Sequence, residues 1–301
     1  MNILVTGAFD CTENELNMLR ERGHDVVFMQ QEKSPLPCEA DWVEGVIGNG
    51  IFLSHPIEQF TSLRYIQLTS AGFDRLPMDY VNAHGIEIHN ARGVYSIPMA
   101  EFAIGGVLQL YKQSAFFYRN QKAHKWEKHR GLTELYGKRV CVVGCGSVGT
   151  ECAKRFKAFG CSVVGVDIQP YQNELLYDSM LPLDSLDEVL MQADIAVLTL
   201  PLTEDTRRII NEERFAAMKK GAVLVNISRG AIIDTDALIA ALNTHLGGAV
   251  LDVFDGEPLD ESSSLWDIEN VIIAPHNSFV SDGNHARMID VIMNNLERAA
   301  T

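Results

Sequence analysis

Three polar residues with complementary chemistry each follow a short apolar run in the second half of the chain: Arg229, Glu257 and His276. The carboxyl ends of parallel strands meet at one edge of a sheet, where ligands bind in open α/β folds. We therefore expect these three side chains at one rim. The planar guanidinium of Arg229 can hold a carboxylate through two parallel hydrogen bonds. His276 can transfer a proton, and Glu257 can orient its imidazole.

A glycine-rich turn precedes these residues in the chain. The apolar run Arg139–Val143 leads into a GxGxxG pattern formed by Gly144, Gly146 and Gly149, and a helical pattern follows. Gly144 permits a tight turn, Gly146 lets the backbone approach a pyrophosphate, and Gly149 lets the helix lie close to the strand. The helix N-terminus then attracts phosphate groups. This segment predicts a dinucleotide site.

An acidic residue ends the next predicted strand, Ser162–Asp167. Its place about 20 residues beyond the turn is typical of a carboxylate that binds ribose hydroxyls. Asp167 would repel a 2′-phosphate, and residues 168–170 offer no cation to bind one. We therefore expect NAD rather than NADP. Pro201 and Ser228, which follow two later strands, are further candidate cofactor contacts.

The combined residues suit the reduction of a 2-keto acid. That reaction needs a hydride for the carbon, a proton for the developing alkoxide and a cation for the carboxylate. A bound nicotinamide, His276 and Arg229 would supply these in turn, with Glu257 orienting the imidazole. Positioned acid–base catalysis of this kind contributes about 10²–10⁴-fold.

Short apolar runs alternate with helical periodicity, which is typical of βαβ units and parallel sheets. The first third has no glycine-rich phosphate turn, whereas the strands after residue 137 suffice for a full doubly wound sheet. The predicted strands are Ile3–Thr6, Val26–Met29, Gly45–Ile47, Tyr65–Thr69, Ile86–His89, Arg139–Val143, Ser162–Asp167, Ile195–Leu200, Val223–Ile227, Val250–Val253 and Val271–Ala274.

The length of 301 residues fits two domains of roughly 100–200 residues each. An amphipathic stretch over Met99–Lys125 is expected to bury its apolar face against another domain or subunit. That face comprises Phe102, Val107, Leu110, Phe116 and Phe117. A last helix, Asp282–Ala299, has no strand after it and could return to the first domain.

The composition of the chain limits the partners and the cellular location that we expect. The formal net charge of −15 disfavours nucleic acids and anionic membranes as partners. No run approaches the roughly 20 apolar residues needed to cross a bilayer, and the N-terminus lacks signal-peptide features. The six cysteines form no CxxC pair, so we expect reduced thiols, a cytoplasmic location and no metal site.

The chain resembles the D-isomer-specific 2-hydroxyacid dehydrogenase family over nearly its whole length. Four segments carry the resemblance in order and spacing: Leu135–Lys138, Asn226–Gly230, Leu251–Pro258 and Pro275-His276. The family implies that Arg229, Glu257 and His276 form a catalytic trio. It also implies cofactor contacts from Gly144, Gly146, Ser147, Val148, Gly149, Asp167, Thr206 and Asp252.

The resemblance further implies an α/β fold with two doubly wound parallel-sheet domains. A Rossmann NAD domain (residues 99–277) is inserted into a flavodoxin-like substrate domain (residues 1–98 plus 278–301). Ser70, Ala71 and Gly72 match a loop whose backbone amides bind the substrate carboxylate. Homodimers are usual in the family.

One departure from the family pattern affects the site, because Asn277 and Ser278 stand where many family members have a Gly-Gly pair.

Two alternative functions stay open. One is a corepressor-like protein of the same fold that senses NAD(H), and the other is a formate or phosphonate dehydrogenase. Related formate dehydrogenases typically have Gln at the position of Glu257, so the glutamate favours a hydroxy acid. The identity of the keto acid, and whether it is phosphorylated, is left open by the residues.

Overall fold

A computed structural model describes residues 1–170 and 175–299 of the protein. The chain divides into two compact units, Met1–Tyr95 with Ser281–Thr301, and Ser96–Val280. Each of the two divisions lies three residues from the corresponding predicted domain boundary. The N-terminal division falls where the helix Ser96–Tyr111 begins.

The first unit contains a five-stranded parallel sheet in the order β2-β1-β3-β4-β5, which is the flavodoxin-like order. Helices α1 (Glu13–Glu21), α2 (Met78–Ala83) and α9 (Asn284–Ala299) belong to this unit. Successive residues of β1 enter different clusters, since Leu4 packs with Val46 and Ile66 while Ile3 packs with α9. Its strands are β1 (Asn2–Thr6), β2 (Asp25–Met29), β3 (Gly45–Gly48), β4 (Tyr65–Leu68) and β5 (Glu87–His89).

The second unit contains a seven-stranded parallel sheet in the order β8-β7-β6-β9-β10-β11-β12. This is the Rossmann order with one strand added at the end. Its strands are β6 (Arg139–Val143), β7 (Ser162–Asp167), β8 (Ser179–Pro182), β9 (Ile195–Leu198), β10 (Val223–Asn226), β11 (Gly248–Leu251) and β12 (Val271–Ile273). Its helices are α3 (Ser96–Tyr111), α4 (Ser114–Lys122), α5 (Ser147–Ala158), α6 (Leu186–Leu190), α7 (Glu212–Ala217) and α8 (Thr235–Thr244).

The predicted α/β class with two parallel-sheet domains is confirmed. Strand β8 was not predicted, because it is a four-residue edge strand that ends in Pro182. Burial on both faces makes most strands continuous apolar runs, which is why the others could be recognised. Among the described residues, none of the helices has both the length and the hydropathy that a bilayer crossing requires.

The amphipathic stretch Met99–Lys125 forms two helices rather than one. Helix α3 ends at Tyr111, and Gln113 adopts a left-handed conformation (φ 54°) before α4. The expectation that its whole apolar face packs on another domain or subunit is wrong for α3. Val107 is fully buried in the core of its own unit, and Gly106 lies directly against Val250.

Candidate active site

The glycine turn joins β6 to α5, and each of its glycines meets a different steric requirement. Gly144 has φ +94°, and a Cβ on it would lie 2.8 Å from the backbone nitrogen of Leu200. A Cβ on Gly149 would lie 2.1 Å from the Gly144 carbonyl oxygen, so only glycine lets helix and turn approach this closely. A Cβ on the exposed Gly146 meets no atom of the described chain within 4 Å. Gly146 therefore leaves open space beside the N-terminus of α5, as a pyrophosphate requires.

Asp167, the last residue of β7, is held against this turn. Its Oδ2 accepts a hydrogen bond from the Cys145 amide (2.6 Å), and its Oδ1 accepts one from the Gln169 amide (3.0 Å). Both oxygens retain further acceptor capacity, because a carboxylate can accept about four hydrogen bonds. The turn and the partly exposed carboxylate fit the pyrophosphate and ribose of a dinucleotide.

Arg229 lies in a turn that Asn226 organises. Asn226 ends β10 and is fully buried; its Nδ2 donates to the Arg229 carbonyl (2.9 Å), and its Oδ1 accepts from the Ser228 hydroxyl (2.8 Å). The Arg229 Nη1 donates to the Ser228 carbonyl (2.7 Å), which ties the guanidinium to its own turn. A Cβ on Gly230 would lie 1.8 Å from the Phe254 carbonyl carbon, so this turn packs directly on the segment that leads to Glu257.

Glu257 and His276 form a hydrogen-bonded pair, although they are 19 residues apart. The Glu257 Oε2 lies 2.8 Å from His276 Nδ1, and its Oε1 accepts from the Phe254 amide (3.0 Å). An ionised carboxylate only accepts, so Nδ1 carries the hydrogen in this contact. Nε2 is then the ring atom left for proton exchange. About two-fifths of each side chain is exposed (42% and 36%).

The backbone at His276 is held in an uncommon conformation. Its φ is +50°, a left-handed value that costs a non-glycine residue of order 1–3 kcal/mol. The buried Asp252 stabilises it, since its carbonyl accepts from the His276 amide (2.8 Å) and its Oδ1 from the Asn277 amide (2.7 Å). The Ser278 amide donates to both carboxylate oxygens of Asp252, Oδ1 and Oδ2 (3.1 Å each). Because these contacts use backbone amides, Asn277 and Ser278 can make them in place of a Gly-Gly pair.

The remaining candidate cofactor residues of this unit lie around the same strand ends. Ser147 and Val148 are partly buried in the first turn of α5. Thr206 is fully buried, and its hydroxyl donates to the Pro201 carbonyl (2.7 Å) while accepting from the Thr203 amide (2.7 Å). Thr206 thus shapes the turn that begins at Pro201.

Ser70, Ala71 and Gly72 belong to the first unit, where they follow β4. Thr69 extends the pairing of β4, because its amide donates to the Gly48 carbonyl (2.9 Å). Ala71 is exposed, and the other two residues are partly exposed. None of the three backbone amides has an acceptor within residues 1–170 and 175–299. Three neighbouring amides without acceptors can bind an anion.

Two features of the second unit were not anticipated from the sequence. One is the role of Asn226 in shaping the Arg229 turn, and the other is the use of the Asp252 carboxylate on the backbone beyond His276. An asparagine at a strand end, two residues before a serine, is a weak signal for such a turn. A contact between residues 25 positions apart has no local signal.

The comparisons with known proteins all point to the same family. A sequence model described as "D-isomer specific 2-hydroxyacid dehydrogenase, NAD binding domain" matches residues 104–278. A glyoxylate reductase of Thermofilum pendens is 33% identical over 241 residues, covering 78% of this chain and 71% of that protein. A D-3-phosphoglycerate dehydrogenase of Methanocaldococcus jannaschii is 36% identical over 225 residues, covering 73% of this chain and 42% of that protein.

Solved structures show the same similarity. The structure of a D-isomer specific 2-hydroxyacid dehydrogenase from Xanthobacter autotrophicus Py2, in complex with NADPH and MES, superposes with a TM-score of 0.79. It is 27% identical, and the match covers 99% of this chain and 95% of that one.

Proposed function

Because the chain belongs to the D-isomer specific 2-hydroxyacid dehydrogenase family of NAD-dependent oxidoreductases, we propose that it interconverts a small 2-keto acid and its D-2-hydroxy acid. The observation that carries this proposal is the Glu257–His276 pair, which leaves one imidazole nitrogen for proton exchange. When bound, NADH supplies the hydride for the keto carbon.

His276 Nε2 donates the proton to the carbonyl oxygen in reduction and takes it back in the oxidation of the hydroxy acid. Glu257 holds the imidazole by Nδ1 and stabilises its positive charge. The Asp252 contacts hold the backbone that carries the ring. Such preorganisation lowers the cost of reaching the reactive geometry.

Arg229 binds the substrate carboxylate in this proposal. A guanidinium can donate two parallel hydrogen bonds to a carboxylate and polarise the adjacent carbonyl. The backbone amides of Ser70, Ala71 and Gly72, in the first unit, are assigned to carboxylate binding by the family resemblance, and their lack of acceptors among the described residues supports this assignment. These cationic and dipolar groups would offset the net charge of −15, which otherwise repels an anionic substrate.

NAD rather than NADP is the proposed cofactor. Gly144, Gly146 and Gly149 with the first turn of α5 (Ser147, Val148) are assigned to the pyrophosphate, and Asp167 to the adenosine ribose. Asp252 is assigned to the nicotinamide end of the cofactor, and Pro201, Thr206 and Ser228 are further proposed cofactor contacts. Residues 168–170 bring no cation to Asp167, so a 2′-phosphate would meet an uncompensated carboxylate there.

A homodimer is part of the proposal. Several large apolar side chains are exposed on α4 and in the segment after it: Phe117, Tyr118, Trp126 and Leu132. Exposed apolar patches mark association surfaces. Light scattering should give twice the chain mass of 33.4 kDa, and Trp126→Glu should lower it, whereas Leu53→Glu, at an exposed position of the first unit, should not.

The proposed location is the cytoplasm. None of the six cysteines forms a disulfide, and four of the six, Cys141, Cys145, Cys152 and Cys161, are buried in the second unit. Reduced cysteines are typical of cytosolic proteins. Cell fractionation tests this, and recovery outside the cytoplasm would contradict it.

A spectrophotometric screen of NADH oxidation against small 2-keto acids, including glyoxylate, hydroxypyruvate, pyruvate and phosphohydroxypyruvate, tests the central proposal. We expect turnover of at least one of these acids, with kcat/KM for NADH well above that for NADPH; comparable values would contradict the role of Asp167.

Two variants test the assigned side chains. Arg229→Lys keeps the positive charge but loses the planar guanidinium that can donate two parallel hydrogen bonds, so KM for the keto acid should rise. Normal turnover by His276→Asn would require another proton donor.

The screen also separates the alternatives. Oxidation of formate or phosphonate, without keto-acid reduction, would identify a different enzyme of the superfamily. Tight NADH binding without any turnover would favour a protein that senses NAD(H).

A further inference from the structure

The four consecutive backbone carbonyls from Thr69 to Gly72 all accept hydrogen bonds from side chains or amides of the first unit. Three of the four donors lie in the segment Asn90–Tyr95, which follows β5. The donors are the Tyr95 hydroxyl to Thr69 O (2.5 Å), the Ala91 amide to Ser70 O (2.9 Å), Asn90 Nδ2 to Ala71 O (2.6 Å) and the Ser70 hydroxyl to Gly72 O (3.0 Å).

These bonds determine where the amides of the loop point. A peptide group is planar and trans, so the C=O of one residue and the N–H of the next point in opposite directions. Holding the Thr69 carbonyl therefore aims the Ser70 amide away from Tyr95. In the same way, the bonds to the carbonyls of residues 70 and 71 aim the amides of residues 71 and 72. One segment thus sets the direction of all three amides.

The donor segment is itself anchored in the core of the first unit. Ala91 and Val94 are buried with Met288 and Ile292 of α9. The Val94 carbonyl accepts a hydrogen bond from Arg287 Nε (2.7 Å). Hydrogen-bond donors held in this way do not reorganise when a ligand binds, and this is what makes an anion site effective.

Tyr95 and Asn90 use side chains, whereas Ala91 uses its backbone, so only the first two depend on residue type. Burial raises the pKa of the Tyr95 phenol, which keeps the hydroxyl protonated and able to donate. Asn90 is fixed in turn, because its Oδ1 accepts from the Arg92 amide (3.1 Å).

We infer that Tyr95 and Asn90 are positioning residues for substrate binding, which act by aiming the amides of Ser70 and Gly72 at the carboxylate. The inference rests on the proposed function for the identity of the anion. Carboxylate binding is the same in the ground state and the transition state, so losing it raises KM and leaves kcat nearly unchanged.

The test compares Tyr95→Phe and Asn90→Ala with the wild type in the NADH-bound protein. We expect KM for the reduced keto acid, and Kd for the non-reacting carboxylate oxamate, to rise about 3- to 30-fold in each variant, as for one weakened hydrogen bond to a charged group. The affinity for NADH should not change. Oxamate binding is measured by calorimetry, so this arm does not need turnover.

Tyr65→Phe is the matched control. Tyr65 is a buried tyrosine of the first unit, its hydroxyl donates to Gln67 Oε1 (3.4 Å), and it lies at the start of β4, whereas the Ser70–Gly72 loop follows the end of that strand. The Tyr65→Phe variant should lose as much melting temperature as Tyr95→Phe does, but it should keep the wild-type KM and oxamate affinity. If Tyr95→Phe behaves like Tyr65→Phe, or if kcat falls while KM is constant, the inference is wrong.

The same experiment separates this inference from the proposed function. A wild type that binds oxamate in a Tyr95-dependent way but reduces no keto acid would contradict only the proposed function. Keto-acid turnover with Tyr95-independent KM would contradict only the inference. A wild type that binds no oxamate would also overturn the inference.

Discussion

Replacing Glu257 by glutamine should lower kcat without weakening cofactor binding. The carboxylate now accepts two hydrogen bonds, one from the Phe254 amide and one from His276 Nδ1. A glutamine of the same shape has one acceptor oxygen and one amino group. If its oxygen retains the Phe254 amide, its amino group faces Nδ1 and opposes the hydrogen carried there. The protonated imidazole thereby loses its acceptor.

The magnitude follows from the bond that is lost. A hydrogen bond to a charged group contributes about 1.5–3 kcal/mol, and each 1.36 kcal/mol is tenfold in rate, so kcat should fall about 10- to 150-fold. The two side chains are about two-fifths exposed, at 36% and 42%, so solvent screening puts the expected loss in the lower half of that range.

The assay is steady-state reduction at saturating NADH, with the Kd of NADH measured by fluorescence. Glu261→Gln is the control, because Glu261 is an exposed glutamate of the same segment and should be silent. A kcat within twofold of the wild type would refute the reasoning. A raised KM with unchanged kcat would place Glu257 in substrate binding instead.

Three further predictions concern the second unit. Gly146→Ala should fold with an unchanged melting temperature but bind NADH at least tenfold more weakly, because its methyl group meets only the space assigned to the pyrophosphate. Gly149→Ala should unfold more easily by about 1–3 kcal/mol in urea titrations, because its Cβ overlaps backbone. Although burial opposes it, the Arg139 amide and the Lys219 ammonium lower the pKa of Asp194, and Asp194→Asn should cost about 1 kcal/mol at neutral pH.

Each of these has a contradicting result. Wild-type NADH affinity in Gly146→Ala would refute the assignment of the turn, and wild-type stability in Gly149→Ala would refute the close packing. For Asp194 the sign follows from the lowered pKa: its stabilisation is present above about pH 4 and is lost as the pH falls through the folded-state value. The difference between wild type and Asp194→Asn should therefore shrink in acid, and a constant difference would contradict the role of the charge.

Much of the fold could be predicted because its determinants are local. Strands buried on both faces are continuous apolar runs, and the helices between them show their own period. Strand β8 was missed because Ser179–Pro182 is short, lies at the sheet edge and has mixed polarity. The break between α3 and α4 was missed because Gln113 is neither glycine nor proline, the residues that usually mark one.

The sequence by itself determined the residue types and the local backbone needs of the protein. It located a glycine turn after a strand, an acidic residue after the next, and three reactive side chains after later strands. These follow from steric rules and periodicities that act over a few residues.

Only the tertiary structure decided which groups meet. Glu257 reaches His276 across 19 residues, Asp252 holds the Asn277 amide across 25, and Tyr95 holds the Thr69 carbonyl across 26. A hydrogen bond forms only when two atoms lie about 3 Å apart in a suitable orientation. Such a distance depends on how neighbouring strands and their loops pack, so no pattern within one segment can specify it.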